Sequence, residues 1–237
     1  MAPRPGTTHL TVTLSSLKGG EGVPLQLPPL LASRRRQRIG LLGGSFNPAH
    51  RGHVMISREA LARLDIDEVW WLVSPQNPLK PEAGMAPFLR RLVDAADTAA
   101  TLPRVRVTDL EDRLGTRYTA DTLKMLHRRF PGTRFVWLMG ADNLRQIPRW
   151  RDWRRIFATT PIAVFARPSH SLGALRGMAA QRFRTRRVGQ GRARGLAGME
   201  PPAWTFIAQR LDPVSATSIR AGNGMTVQGD APSPARP

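Results

Sequence analysis

A chain of 237 residues with 41% hydrophobic side chains is long enough for one sizeable core, and no run of 18 apolar residues offers a membrane span. Cysteine is absent, which removes disulfides, thiolate metal sites and cysteine nucleophiles together and is compatible with a reducing cytoplasm. The 36 basic and 17 acidic residues give a formal net charge of +19, yet only Lys18, Lys80 and Lys124 are lysines, so the excess fits a compositional bias towards arginine as well as a polyanionic partner.

Residues 1–37 are rich in Pro, Gly, Ser and Thr, hold one acidic residue (Glu21), and run into Arg34-Arg35-Arg36-Gln37-Arg38. They read as a disordered extension without the apolar stretch of a secretory signal, although the acid-poor, Arg-rich character also resembles an organellar transit peptide. Ile39–Leu42 reads as a short buried strand, and after His50 the apolar Val54, Leu61 and Leu64 against polar Arg58, Glu59 and Arg63 predict a helix. Strands follow at Val69–Val73, Val105–Val107, Phe135–Met139, Ile162–Phe165 and Trp204–Ile207, with helices predicted over about 88–100, about 119–130 and around Trp153–Phe157. Residues 222–237 are again Gly/Pro-rich and read as an unstructured tail. Strands alternating with helices predict an α/β domain over residues 38–221: a doubly wound parallel sheet with helices on both faces, binding its ligand beyond the carboxyl ends of the strands.

The segment 43–53, GGSFNPAHRGH, stands at such a strand end. A helix beginning after two glycines offers backbone N–H groups and a positive dipole end to an anion, and His50 and His53, three apart, can both reach it. The plainer alternative makes one histidine a helix cap. A zinc site built on His-x-x-His lacks a third ligand at a telling spacing. No GxxxxGK[ST] occurs, and the tract Gly189–Gly195 has the wrong spacing for a dinucleotide-binding glycine loop.

Further along, Pro75-Gln76-Asn77-Pro78-Leu79-Lys80 follows the second strand, Arg117-Tyr118-Thr119-Ala120-Asp121-Thr122-Leu123 opens a helix, Gly140-Ala141-Asp142 ends a strand, and Pro148-Arg149-Trp150 comes next. Near the end, Pro213 precedes Val214-Ser215-Ala216-Thr217-Ser218-Ile219-Arg220, a second helix start whose hydroxyls, amides and guanidinium suit phosphate. The first segment resembles the HxGH signature of the nucleotidylyltransferase superfamily, with Asn47 where aspartate usually precedes the proline. The last resembles its ISSTxIR element, and the middle three, with the Pro75–Lys80 stretch, are similar to bacterial nicotinate-nucleotide adenylyltransferases.

That resemblance, over roughly residues 38–221, implies transfer of the adenylyl group of ATP to nicotinate mononucleotide in the cytoplasm, with Mg²⁺ carried mainly on the ATP phosphates and no dedicated protein metal site. It assigns His50, His53 and Arg220 to catalysis; Gly43, Gly44, Ser45, Phe46, Gly140, Asp142, Thr217 and Ser218 to ATP; and Tyr118, Thr119, Trp150 and Lys80 to the acceptor. Trp150 would stack on the pyridine ring, with ordinary packing as the alternative, and the Tyr118-Thr119 amides would meet the nicotinate carboxylate. Rival readings are an adenylyltransferase acting on nicotinamide mononucleotide or phosphopantetheine and, from another class, a nucleic-acid-binding protein built on Arg182, Arg184, Arg186, Arg187, Arg192 and Arg194. That cluster also reads as a solvated, mobile loop.

Overall fold

The computed structural model describes residues 37–76, 84–166 and 171–208, together with the backbone of two short strands, β1 (Thr11–Val12) and β2 (Leu25–Gln26), which pair antiparallel. Apart from that ladder, the expected N-terminal extension lies outside the described residues, as do Lys80, Thr217, Ser218, Arg220 and the C-terminal tail.

Seven strands make one sheet: β3 (Arg38–Gly44), β4 (Glu68–Val73), β5 (Val105–Thr108), β6 (Arg134–Gly140), β7 (Ile162–Phe165), β8 (Arg187–Val188) and β9 (Trp204–Ile207). Their order is β5-β4-β3-β6-β7-β9-β8, and every neighbouring pair is parallel. Side chains alternate between two buried clusters. Leu42, Trp71, Val136 and Leu138 join one, while Ile39, Leu41, Trp70, Leu72 and Trp137 join the other. A sheet covered on both faces needs near-continuous apolar strands, which is why the strands show as unbroken hydrophobic runs in the sequence.

The longer helices are α1 (Arg51–Arg63), α2 (Phe88–Ala99) and α4 (Thr119–Arg129); α3 (Leu110–Arg113), α5 (Ala141–Gln146), α6 (Trp153–Thr159), α7 (Ser171–Leu175) and α8 (Met178–Arg182) are short. Each strand and helix expected from the sequence within these residues is present. The elements that escaped it are β1, β2, β8, α3, α5, α7, α8 and three 3₁₀ segments, all but Gln190–Gly198 too short to establish a hydrophobic period.

The arginine-rich stretch departs from expectation. Arg182, Arg184, Arg186, Arg187, Arg192 and Arg194 are exposed, but their backbone runs through α8, a 3₁₀ turn, edge strand β8 and a second 3₁₀ segment, Gln190–Gly198. Ala193, Leu196 and Ala197 of that segment are buried, and these apolar anchors hold the chain against the sheet where the polar composition suggested a mobile loop.

From β3 the chain winds through β4 to β5 on one side, then crosses to β6 on the other. The carboxyl ends of β3 and β6 are therefore neighbours from which connections leave in opposite directions, the crevice where such sheets receive ligands.

Candidate active site

Gly43 and Gly44 are the last two residues of β3, and α1 starts only at Arg51. The glycines thus belong to the strand and precede the turn. Gly43 is required for space: a Cβ there would stand 2.4 Å from Cη2 of Trp137 on β6. The left-handed residue of the turn is Phe46, at φ 45, an unfavourable conformation for a large side chain. Its buried ring is held against Trp71 at 5.1 Å between centroids and against His53 at 4.5 Å.

His50 is the N-cap of α1, and its Nδ1 accepts from the Gly52 N–H at 3.1 Å. His53, three residues on, completes a reciprocal cap, its Nδ1 accepting from the His50 N–H at 3.1 Å. Both histidines therefore cap α1. Because both Nδ1 atoms accept from backbone, each neutral ring carries its proton on Nε2, which makes both Nε2 atoms hydrogen-bond donors. The two rings lie 4.0 Å apart at the helix N-terminus, so their donors add to the positive end of the dipole.

Two side chains fasten the turn. Asn47 donates from Nδ2 to the Gly84 carbonyl at 3.1 Å and accepts from the Ala86 N–H at 3.2 Å, a pairing that uses both ends of the amide. Arg91, on α2 and 2% exposed, donates to four carbonyls: Ser45 at 2.6 Å, Ser74 at 2.7 Å, Pro75 at 2.7 Å and Ala86 at 2.9 Å. It ties the ends of β3 and β4 to the segment before α2. Burial pulls its pKa below the ordinary arginine value, and it stays protonated.

A cavity of about 570 Å³ opens at these strand ends, within the range of small-molecule sites. Gly43, Gly44, Ser45, Phe46, His50, His53, Tyr118, Thr119, Asp142 and Trp150 all line it. Gly140 ends β6 with an ordinary φ of −77 and is not part of the lining. Tyr118 is the N-cap of α4 in extended conformation, and no side chain caps that helix. The Arg151 guanidinium lies over the Tyr118 ring, 4.7 Å from its centroid. Trp150 is half-buried and meets Trp137 edge-on at 6.5 Å, so it both packs and faces the cavity.

Sequence reasoning missed several lining residues: Ser74, Glu111, Arg117, Trp137, Asn143, Gln146, Arg149 and Arg151. Arg91 was legible in principle, since it shares the apolar stripe of α2 with Ala95 and Ala99 at helical spacing, where an arginine is out of place. Glu111 had no such signal because α3 is a single turn. Its side chain is buried, accepts from Thr122 Oγ1 at 3.2 Å and is hydrogen-bonded to the Ser74 side chain. Desolvation pushes its pKa up from 4.5 to about 7 against the lowering effect of those two bonds.

A doubly wound parallel sheet with a histidine pair at the helix N-terminus of its switch point, facing a cavity lined by a second helix start, has the architecture of a nucleotide-binding α/β protein. The chain belongs to the cytidylyltransferase-like family, whose profile matches residues 41–222, and within it groups with the nicotinate-nucleotide adenylyltransferases. It is 52% identical over 191 residues to the Parvibaculum lavamentivorans protein named probable nicotinate-nucleotide adenylyltransferase, covering 81% of this chain and 94% of that one. Identity is 51% over 193 residues to the similarly named protein of Ruegeria pomeroyi, covering 81% and 89%. Among solved structures, Plasmodium falciparum nicotinic acid mononucleotide adenylyltransferase complexed with NaAD shares the fold with a TM-score of 0.55 at 18% identity, covering 82% of this chain and 86% of that chain. The family and fold implied by the sequence motifs are therefore borne out. No helix among the described residues is long and apolar enough to cross a membrane.

Proposed function

We propose that this chain transfers the adenylyl group of ATP to nicotinate mononucleotide, giving deamido-NAD and pyrophosphate, as a cytoplasmic step of NAD synthesis. The observation that carries this reading is the meeting, around one cavity, of the His50–His53 pair at the start of α1 and the Tyr118–Thr119 start of α4. Two helix starts on one cavity, one carrying a histidine pair and the other without a side-chain cap, suit a reaction that brings a triphosphate and a nicotinate carboxylate together.

A phosphate oxygen of the mononucleotide attacks the α-phosphorus of ATP, a new P–O bond forms, and the bond to the bridging oxygen breaks with its electron pair leaving on pyrophosphate. The attacking phosphate is already anionic near neutral pH, so neither a general base nor a covalent intermediate is needed. Catalysis is then positioning and charge stabilisation. The Nε2–H donors of His50 and His53 stabilise charge on the phosphates as the bridging oxygen departs. Thr217, Ser218 and Arg220 take the pyrophosphate, and Lys80 the acceptor phosphate, in the same reading. The backbone of Gly43, Gly44, Ser45 and Phe46 approaches ATP, and Asp142, beside Gly140, accepts from ribose hydroxyls. Trp150 covers the pyridine ring.

The described residues gather no group of three or more His, Asp or Glu side chains fit to hold a metal. Mg²⁺ would be carried mainly by ATP, where it would supply charge neutralisation, with no side chain of the described residues assigned to hold it.

Incubation with ATP, Mg²⁺ and a panel of phosphorylated acceptors, scored by pyrophosphate release, tests reaction and acceptor together. Nicotinate mononucleotide should give the highest kcat/KM. Equal values for nicotinate and nicotinamide mononucleotides would refute the role given to the α4 helix start.

A further inference from the structure

Among the described residues, Arg91 and Glu111 are the two buried ionisable side chains, and the mechanism above leaves Glu111 unused. Its position is unusual for a carboxyl: 5% exposed, yet on the lining of a cavity that must take anions. The carboxyl joins the two segments that flank the acceptor end. Ser74 follows β4 directly, and Thr122 is in the first turn of α4, behind Tyr118 and Thr119.

The Ser74 hydroxyl donates to the Gln76 carbonyl at 3.0 Å. The Thr116 hydroxyl faces the Glu111 backbone carbonyl, and the Thr122 hydroxyl is shared among Glu111 Oε1 at 3.2 Å, Thr116 Oγ1 at 2.9 Å and the Tyr118 carbonyl at 3.2 Å. The Ser74 hydroxyl is also hydrogen-bonded to the Glu111 side chain, and this bond and the one from Thr122 support the carboxylate against the desolvation that disfavours it. Other charged or titratable groups around the cavity are His50, His53, Asp142, Arg117, Arg149 and Arg151, with the Tyr118 phenol. Asp109, Asp112 and Arg113 come from around α3, and Asp121 and Lys124 from α4. None of these cations forms an ion pair with Glu111 among the described residues.

We propose that Glu111 is a specificity-determining residue of the acceptor pocket, a carboxyl fixed between Ser74 and Thr122 that admits the anionic mononucleotide only as the neutral acid, so that acceptor binding is linked to protonation. This rests on the adenylyl-transfer reading. An ionised Glu111 would set a second carboxylate in the cavity that must receive the nicotinate carboxylate, and like charges in one poorly solvated site exclude each other. Desolvation, which places its titration at about 7, puts this linkage within the working range.

The test is the pH dependence of KM and kcat for nicotinate mononucleotide at saturating ATP and Mg²⁺, in the full chain and in Glu111→Gln. Between pH of about 6.5 and about 8.5, KM of the unaltered chain should rise about tenfold or more, the behaviour of one group ionising near the middle of that window. In Glu111→Gln the rise should fall below about threefold, with the pH dependence of kcat alike in both proteins. Glu111→Met, which also removes the titration, serves the same purpose if the amide variant does not fold. Nicotinamide mononucleotide, lacking the ring carboxylate, should show a shallower KM profile in the unaltered chain. A KM profile as steep in the neutral variants as in the parent overturns the proposal, and so does a difference confined to kcat. Absence of pyrophosphate release by the unaltered chain with this acceptor would instead overturn the functional reading itself, and the proposal with it.

Discussion

Replacing Arg91 by methionine removes a guanidinium while keeping comparable apolar bulk in α2. Four hydrogen bonds are lost, to the carbonyls of Ser45, Ser74, Pro75 and Ala86, all between 2.6 and 2.9 Å. Each is charge-assisted and contributes about 1.5–3 kcal/mol, but the four share one side chain and are not additive. The better guide is the cost of breaking a buried charged cluster from one side, about 3–5 kcal/mol. For a domain of this size each kcal/mol moves Tm by about 2–4 °C, so Arg91→Met should melt about 6–20 °C below the parent. The lost bonds also fix Ser45 and Ser74, both on the cavity lining, so kcat/KM should fall at least about tenfold at temperatures well below either Tm, since small misplacements at a reacting centre are expensive. Arg91→Lys keeps the charge on three donors without the planar fork and should lie between the two. Thermal melts with steady-state pyrophosphate release decide the matter. A Tm within about 2 °C of the parent with unchanged kcat/KM would refute the view that this buried guanidinium organises the strand ends.

His53→Ala should lower kcat by at least about a hundredfold with little change in Tm, the order expected on losing a charge-stabilising donor, and a near-parental kcat would remove the residue from the mechanism. Gly43→Ala puts a methyl 2.4 Å from the Trp137 ring and should cost about 1–3 kcal/mol in urea unfolding as the indole is forced aside. Stability should also depend on Glu111. Its carboxyl titrates near 4.5 when exposed and at about 7 in the fold, so the native state keeps the proton longer; the contribution is complete below about 4.5 and is lost, about 3 kcal/mol in all, as pH rises through about 7. In Glu111→Gln the difference in unfolding free energy between pH of about 5 and about 8.5 should shrink by more than about 1 kcal/mol, and an unchanged difference would show that Glu111 does not titrate in this window.

The sheet was legible because its strands are buried on both faces and its helices pack on one stripe, so that runs such as Val69–Val73 and Ile162–Phe165 mark themselves. The lining was legible where a residue sits within a compact motif: His50 and His53 lie in one, and Tyr118, Thr119, Asp142 and Trp150 in three others, yet all six meet at one cavity. What the motifs did not carry was the support behind them. Arg91 is 46 residues from Ser45, and Glu111 is 11 from Thr122, so these contacts exist only once the topology closes. The reason for Gly43 was hidden in a related way. Local sequence suggests a turn, whereas the need for Gly43 comes from Trp137 on the adjacent strand, 94 residues away in the chain.

Arg91 and Glu111 show how one site treats two buried ionisable groups in opposite ways. Both touch Ser74, Arg91 through its carbonyl and Glu111 through its hydroxyl. Carbonyl oxygens can only accept, so a ring of four of them around Arg91 satisfies a cation and lets it keep its charge under burial. The hydroxyls of Ser74 and Thr122 favour the carboxylate, but desolvation outweighs them and pushes the Glu111 titration up to about 7. Below a pH of about 7 the charge balance behind the cavity is therefore positive through Arg91 with Glu111 mostly neutral, and above it the carboxyl ionises. That balance suits a pocket whose substrates arrive as a triphosphate and a phosphorylated acid. Exchanging the environments, with carbonyls around the carboxyl or a carboxylate beside the guanidinium, would leave the fold's hydrogen bonds countable but reverse the field at the cavity.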